Sequence, residues 1–544
     1  MTRLTRNIIY NVAGQGLVLV LSLIAVRFIF RRLGDDVFGI IFFNIVLTTV
    51  LATALELGIS ATIVREVSSF FDRDRAYVTA LIRTVTLLYW GLGLLLVAVI
   101  WVIAPLLVTH WVNLRSLDPG TAATTLRILS ATTLVVLPKA LYTSLFRGRQ
   151  VMALNNAIDV GTAAVQQAGI LLLLLAGAGV YLVAAWISAS VILGIIAYMV
   201  GSARLVGWNA LRPAFSVDVV RRTMGFTGHM MVISVLSLVQ SQAAQVIVSK
   251  LLPIAEFGFY GFAASTVNRA TFVTNAVAQA AFPSFSGLFA AGDRPGLMLQ
   301  YRKLQELVSY GTVPIFAGIC FAAIPVYTYV FNAGVGHRLL LPTAFLALGT
   351  WMNATVSIPY MLSVAMGKQR IASRTTVLAA LIVLPVTVFL VYRFGLNGAG
   401  LSWVVYHLFL YAYMVPRICR ECLDIRALVW YQQVAKAFAV GAAAYGFAWV
   451  ALVMPNQDSL PIVAAAYVIA TVVFAPIALL LIGPDLRVTL RQLRPGFSKP
   501  RSPELVPSEE QLQELSRWRR IRRSFVVARN SRPGHSRRRR PSPR

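Results

Sequence analysis

Apolar residues in this chain do not alternate with polar ones at the period of a soluble helix or strand. They run in long blocks parted by short turns rich in Arg, Gly, Asp and Pro. About 20 apolar residues are needed for a helix to cross the hydrocarbon core of a bilayer. In lipid, a helix is the form in which one segment satisfies all of its own backbone groups. With that window, fourteen spans are predicted: residues 8–30, 38–60, 84–108, 122–146, 157–176, 181–200, 226–249, 258–282, 304–331, 339–366, 375–392, 399–415, 434–454 and 460–482. The expected fold class is therefore an all-α polytopic membrane protein of about 14 transmembrane helices.

Composition agrees with the pattern. The chain has 544 residues, 58% hydrophobic and 13% charged, where a soluble domain carries about 25% charged residues. The low charge persists to about Pro484, so one anchor does not explain it. The first apolar run, 8–30, has no clear small-residue cleavage site and is read as a span, not a signal peptide. Cys419 and Cys422 are spaced C-x-x-C, but no second pair or nearby His completes a metal site. They and Cys320 are read as ordinary thiols, and no cofactor is expected.

Lys and Arg in short loops set orientation. One alternate set of loops, which includes Arg65, Arg73, Arg75, Arg83, Arg147, Arg149, Arg212 and Arg221, holds 21 of them; the other holds 7. That excess places the N-terminus in the cytoplasm, and an even number of spans returns the C-terminus there.

The two halves resemble each other at an offset of 219 residues. Phe38-Gly39 maps onto Phe257-Gly258, Asp74-Arg75 onto Asp293-Arg294, Arg83 onto Arg302, and Gly148-Arg149-Gln150 onto Gly367-Lys368-Gln369. Six spans separate equivalent points, so the copies run the same way through the membrane. Two parallel six-helix repeats follow, with a substrate path between them. The expected organisation is an N-lobe (1–225), a C-lobe (226–430), two extra helices (431–483) and a basic tail (484–544).

The stretch Arg31-Arg32-Leu33-Gly34-Asp35-Asp36-Val37-Phe38-Gly39 resembles the R-x-L-G-x-x-x-F-G turn that follows the first helix of polysaccharide flippases. Leu55-Glu56-Leu57-Gly58 is similar to the D-L-G that often closes their second helix, with Glu56 in place of Asp. Phe257-Gly258-Phe259-Tyr260, Gly148-Arg149-Gln150 and Gly367-Lys368-Gln369-Arg370 resemble their other turns. Over about residues 1–480 the chain is thus similar to the polysaccharide-transport (Wzx-like) branch of the multidrug/oligosaccharidyl-lipid/polysaccharide (MOP) superfamily. The resemblance implies a two-lobed bundle, alternating access and a substrate on a polyprenyl-pyrophosphate carrier.

Ionisable residues inside a membrane are costly and usually face the bundle interior. Helix eight carries Asn268, Arg269, Asn275 and Gln279, nearly on one polar face. Gln240, Gln242 and Gln245 lie in helix seven, and Lys139 follows Pro138 in helix four. Arg269 suits a cavity cation because its planar fork pairs with phosphate oxygens and keeps its proton. The competing reading is a structural pair with Asp159 or another acid. Lys139, Asn268, Asn275, Gln279 and Gln240 are the other substrate-binding candidates. Asp159 is the coupling-ion candidate, with a cap at the start of helix five as the plainer role. Arg27 and Arg127 are expected to snorkel to the interface, and Glu56 and Arg65 to lie at one.

Residues 483–544 hold 17 Lys or Arg against 5 Asp or Glu, which accounts for much of the formal net charge of +29. Residues 508–529 read as an amphipathic helix on anionic lipid, and the Arg537–Arg540 run as disordered. A tail beside so many spans already adjoins an acidic membrane, so nucleic acid is not expected as a partner.

The leading functional expectation is a flippase, not an enzyme, that moves a polyprenyl-linked glycan across a bacterial inner membrane, with other glycan-assembly proteins as further partners. A cation-coupled multidrug-type exporter is the alternative. A membrane glycosyltransferase or polymerase using Asp35-Asp36 is a third reading, set against the absence of a large outer loop.

Overall fold

The computed structural model describes Val18 and residues 20–56, 58–456 and 459–492. Helices fill nearly all of it, and no strand occurs among the described residues. The first half comprises α1 (residues 20–33), α2 (Asp35–Glu56), α3 (Ile59–Phe70), α4 (Arg75–His110), α5 (Pro119–Gly148), α6 (Met152–Leu175) and α7 (Val180–Val206). The second half comprises α8 (Val217–Leu251), α9 (Ile254–Arg269), α10 (Thr271–Ala290), α11 (Arg294–Gly311), α12 (Val313–Val330), α13 (Ala333–Ala365) and α14 (Arg370–Ile418). Two further helices follow, α15 (Ala427–Gly441) and α16 (Leu460–Leu481). The chain divides into a compact unit of residues 1–483 and a second of 484–544. In the second, α17 (Pro484–Gln492) is the described helix; the amphipathic and disordered stretches expected further on lie outside the described residues.

Ten segments among the described residues are long and apolar enough to cross a membrane. Large apolar side chains are widely exposed on them, such as Val102, Leu172 and Leu480. So much apolar surface fits contact with lipid, not water. The protein is a multi-pass membrane protein.

Two of the expected spans share one of these ten segments. Arg370–Leu423 is a single run containing Gly395, whose φ of 57° and ψ of −130° are not helical. A Cβ on Gly398 would stand 1.9 Å from the Leu390 carbonyl oxygen, so the limbs fold tightly back on each other. Thr376 and Val383 of one limb line a cavity with Ser402 and Tyr406 of the other. The sequence expectation differs elsewhere. Residues 258–282 do not form one continuous helix, because α9 ends at Arg269 and α10 begins at Thr271. Residues 304–331 are likewise divided at Thr312, where Pro314 opens α12.

The 219-residue offset reappears in the helix boundaries. α2 starts at Asp35 and α9 at Ile254; α4 starts at Arg75 and α11 at Arg294. The N-caps of the second pair are equivalent too. Asp74 accepts the Tyr77 amide at 3.0 Å and Asp293 accepts the Gly296 amide at 2.9 Å. Each carboxylate satisfies an otherwise orphaned donor in the first turn. Asp74 and Asp293 therefore repeat for a local physical reason.

Candidate functional site

α2 and α9, the equivalent helices of the two halves, pack directly on each other. A Cβ on Gly39 would lie 2.2 Å from the Ile254 carbonyl oxygen, and one on Gly258 would lie 2.9 Å from the Gly39 Cα. Glycine is what permits this backbone approach. Beside the crossing, Phe30, Phe38, Phe259, Phe262 and Phe331 form a cluster with ring centroids 5.0–6.4 Å apart. Most pairs meet tilted or edge to face, which adds about 0.5–1.5 kcal/mol per pair beyond burial.

A polar layer adjoins the cluster. Arg27 donates to the Tyr329 carbonyl and lies 4.0 Å over its ring, so it clamps the halves together where snorkelling was expected. Arg127 donates to the Trp101 carbonyl within the first half. The Asn113 carbonyl accepts the Ile254 amide at 2.9 Å, and the Asn113 side chain donates to Lys250 O. Glu256 receives Arg115 of the first half at 2.9 Å and has Arg338 of the second at 3.9 Å. Asp36, fully buried, accepts the backbone amides of Arg115, Ser116 and Leu117 through one oxygen. This carboxylate fastens the α4–α5 connection to α2, a structural task in place of the enzymatic one considered for Asp35-Asp36.

These contacts join the halves at the end where α1 meets α2. At the opposite end, Arg149–Asp72 stays within the first half and Arg294–Asp424 within the second. Arg222 on α8 lies over Phe70 and Tyr77 there, at the connection between the halves. Arg65 pairs with buried Glu66, which also accepts the Tyr77 hydroxyl at 3.0 Å. Glu256→Gln is expected to loosen the sealed end. Both arginines on it are more than half exposed, so the loss is limited to about 1 kcal/mol. Amide hydrogen exchange at Ile254 should then quicken about fivefold.

Inside the first half, Lys139 and Asp159 form an ion pair at 2.7 Å with side chains 44% and 36% exposed. Asn155 donates to Asp159 at 3.3 Å and accepts the Tyr198 hydroxyl at 3.1 Å. Asp159 lies inside α6, which starts at Met152, so it is not the helix cap that was expected. Its pairing with Lys139 also replaces the proposed pairing with Arg269. Arg269 and Asn268 are exposed at the end of α9. Arg269 forms no ion pair with any described residue. Asn275 lines a cavity of about 330 Å³ with Thr271, Thr274, Asn353, Ser357 and Tyr360; Arg269 and Asn268 do not line it. The side chains of Gln240 and Gln279 lie outside the described residues.

Several polar groups were missed in the sequence. Asn353 and Ser357 join Asn275 across α10 and α13, a meeting that spacing along one helix cannot reveal. His407 is fully buried, with Nδ1 2.8 Å from the Trp403 carbonyl. Asn44–Thr132 and Thr48–Thr133 bond α2 to α5. A second cavity, of about 280 Å³, is walled by apolar residues of α12, α13 and the α15 region, including Phe316, Phe321, Trp351, Phe438 and Trp449. Cys320, Cys419 and Cys422 are free thiols, and no metal-holding group of His, Cys, Asp and Glu occurs among the described residues.

Solved structures share this architecture. A lipid II flippase, MurJ, in an inward closed conformation superposes with a TM-score of 0.66 at 13% identity, over 86% of this chain and 98% of that one. An inward-facing multidrug resistance MATE transporter of the MOP superfamily gives 0.60 at 12% identity, over 78% and 96%. In sequence, a Shigella flexneri protein named "Putative O-antigen transporter" is 20% identical over 440 residues, 76% of this chain and 98% of its own length. These relatives are transporters and flippases, not enzymes. The family model described as polysaccharide biosynthesis protein matches residues 28–333. More than half of the sequence lies in that match, and the chain belongs to the polysaccharide biosynthesis protein family, with the fold of the MOP-superfamily transporters.

Proposed function

We propose that the protein moves a polyprenyl-pyrophosphate-linked oligosaccharide across the bacterial inner membrane by alternating access. One observation carries the reading. The halves are joined by an aromatic and ionic seal at one end, while two basic side chains, Lys139 inside α5 and Arg269 at the end of α9, stay exposed. Cations so placed are costly unless they serve a polar path, and both suit a diphosphate. The Lys and Arg bias of the loops puts the sealed end outside and both termini in the cytoplasm. The cavity around Asn275 offers hydroxyl and amide partners for sugars, and the apolar cavity beside α15 suits an isoprenoid chain. The basic tail is assigned to anionic lipid, and glycan-assembly proteins are the further partners.

The test is delivery of lipid-linked glycan to the outer leaflet in cells depleted of the wild-type protein. Arg269→Gln removes a charge that forms no ion pair among the described residues, so folding should persist while delivery falls about tenfold, the effect of roughly 1.4 kcal/mol. Unchanged delivery would remove Arg269 from the path. The second reading, a cation-coupled small-molecule exporter, is favoured only by the intramembrane acid Asp159. Asp159→Asn should leave glycan delivery within about threefold, since charge-assisted bonds at a half-exposed pair contribute little. Loss of all ion- or pH-dependent transport in that variant would favour the exporter.

A further inference from the structure

A basic cleft lies between the start of α4 and the α7–α8 connection. Two cavities, of about 270 and 630 Å³, share Arg75 and Thr79; Arg83 and Ser216 line the larger one. The α7–α8 connection forms one wall and is tied to α4. Arg83 Nε donates to the Asn209 carbonyl at 2.8 Å, and the Ala214 amide donates back to the Arg83 carbonyl at 3.3 Å.

No carboxylate is among the lining residues of either cavity. Neither Arg75 nor Arg83 forms an ion pair with a carboxylate among the described residues. Residues 201–217 contain no acidic residue and include Arg204 and Arg212, with Asp218 following in the first turn of α8. Arg83 is only partly exposed, so its charge faces the cavity more than bulk water.

Position relative to the bilayer follows from helix length. α4 has 36 residues, about 54 Å at 1.5 Å per residue, against a hydrocarbon core of about 30 Å. Arg75 and Arg83 stand in its first nine residues, at the end that emerges into the headgroup layer. The same connection exposes Trp208, Phe215 and Val217, each by more than half. Aromatic and apolar side chains beside arginines at a span end match the interface between headgroups and acyl chains.

We infer that this cleft binds the phosphate headgroup of an anionic phospholipid. The two guanidinium groups bracket the phosphate, the Thr79 and Ser216 hydroxyls supply further donors, and the acyl chains lie against Trp208 and Phe215. Arginine fits this task because its fork matches phosphate oxygens in two parallel hydrogen bonds. Phospholipid is favoured over free phosphate by the exposed apolar residues, which an inorganic ion would leave in water.

Native mass spectrometry of the full-length protein, with phosphatidylglycerol titrated against phosphatidylcholine, tests the assignment. Wild type is expected to retain phosphatidylglycerol selectively. The double variant Arg75→Gln/Arg83→Gln should bind it about thirtyfold more weakly, the effect of about 1 kcal/mol for each of two basic residues near an anionic surface. Arg75→Lys/Arg83→Lys should recover part of the loss, and Phe215→Ser should weaken retention with both arginines in place, which keeps the test valid if the glutamine pair fails to fold. Unchanged retention in the folded glutamine variant would overturn the proposal. So would inorganic phosphate displacing the lipid at equal concentration, which would make the cleft a site for the free ion.

Discussion

Gly39→Leu is expected to reduce glycan delivery to background, about a hundredfold, while the protein still inserts. The reason is geometric. A Cβ at position 39 would already stand 2.2 Å from Ile254 O and 2.6 Å from Ile254 C, both backbone atoms. Backbone cannot swing aside as a side chain does, so α2 and α9 must separate. Overpacking of a fitted contact costs about 1–3 kcal/mol, and here that strain falls on the seal between the halves. An opened seal leaves the path accessible from both ends, which ends alternating access. Gly258→Ala should be milder, because its Cβ meets Gly39 Cα at 2.9 Å. Gly91→Leu is the control: nothing lies within 4 Å of a Cβ there, and delivery should be unchanged. Outer-leaflet glycan and the labelling rate of a cysteine placed behind the seal measure the two sides of the effect. Wild-type delivery by Gly39→Leu would show that the α2–α9 contact is not a gate.

The same glycine shows how far the sequence could be read. Phe38-Gly39 and Phe257-Gly258 stood out as a repeat because they share the 219-residue offset of the other matched pairs. That the two copies touch required the fold, since linear spacing carries no information about which repeat element meets which. Span positions were legible for a simpler reason: apolar blocks of this length have few alternatives to crossing a bilayer. The breaks at Ala270 and Thr312 were not. Gly311 and Pro314 flank the Thr312 break and were passed over, while at Ala270 the polar pair Asn268-Arg269 interrupts the apolar run and was read as a site, not a break.

Candidate site residues divide along the same line. Lys139 and Asp159 were visible as charges in apolar blocks, but their pairing joins α5 to α6, and the sequence gives no distance between helices. Arg115, Glu256 and Arg338 were overlooked as a group because each lies near a span end, where a charge is ordinary. Their significance is that they belong to different halves. Asn353 and Ser357 sit singly among apolar residues of α13 and make a polar wall only beside Asn275.

Asp36→Ala is expected to destabilise the protein by about 3 kcal/mol or more, the largest stability effect of any single substitution considered. One oxygen of this buried side chain accepts amides from Arg115 at 2.9 Å, Ser116 at 2.7 Å and Leu117 at 3.0 Å, and has the Ser116 hydroxyl at 3.2 Å. Successive backbone N–H groups converging on one anion form a nest. Alanine removes the acceptor of three donors at once; a fully buried donor left unsatisfied costs about 1–3 kcal/mol, and these part-buried ones fall at the lower end, about 1 kcal/mol each. The connection they belong to also carries Asn113 and Arg115, which reach across to Ile254 and Glu256. Stability and closure therefore depend on the same carboxylate. Thermal unfolding in detergent should show a midpoint lower by about 5 °C or more, with faster amide exchange from Arg115 to Leu117. Asp36→Asn keeps an acceptor oxygen but loses the charge that roughly doubles the strength of such bonds, so it should fall between alanine and wild type. An asparagine variant as stable as wild type would mean that oxygen geometry alone holds the nest, and that the negative charge of Asp36 is dispensable to the seal.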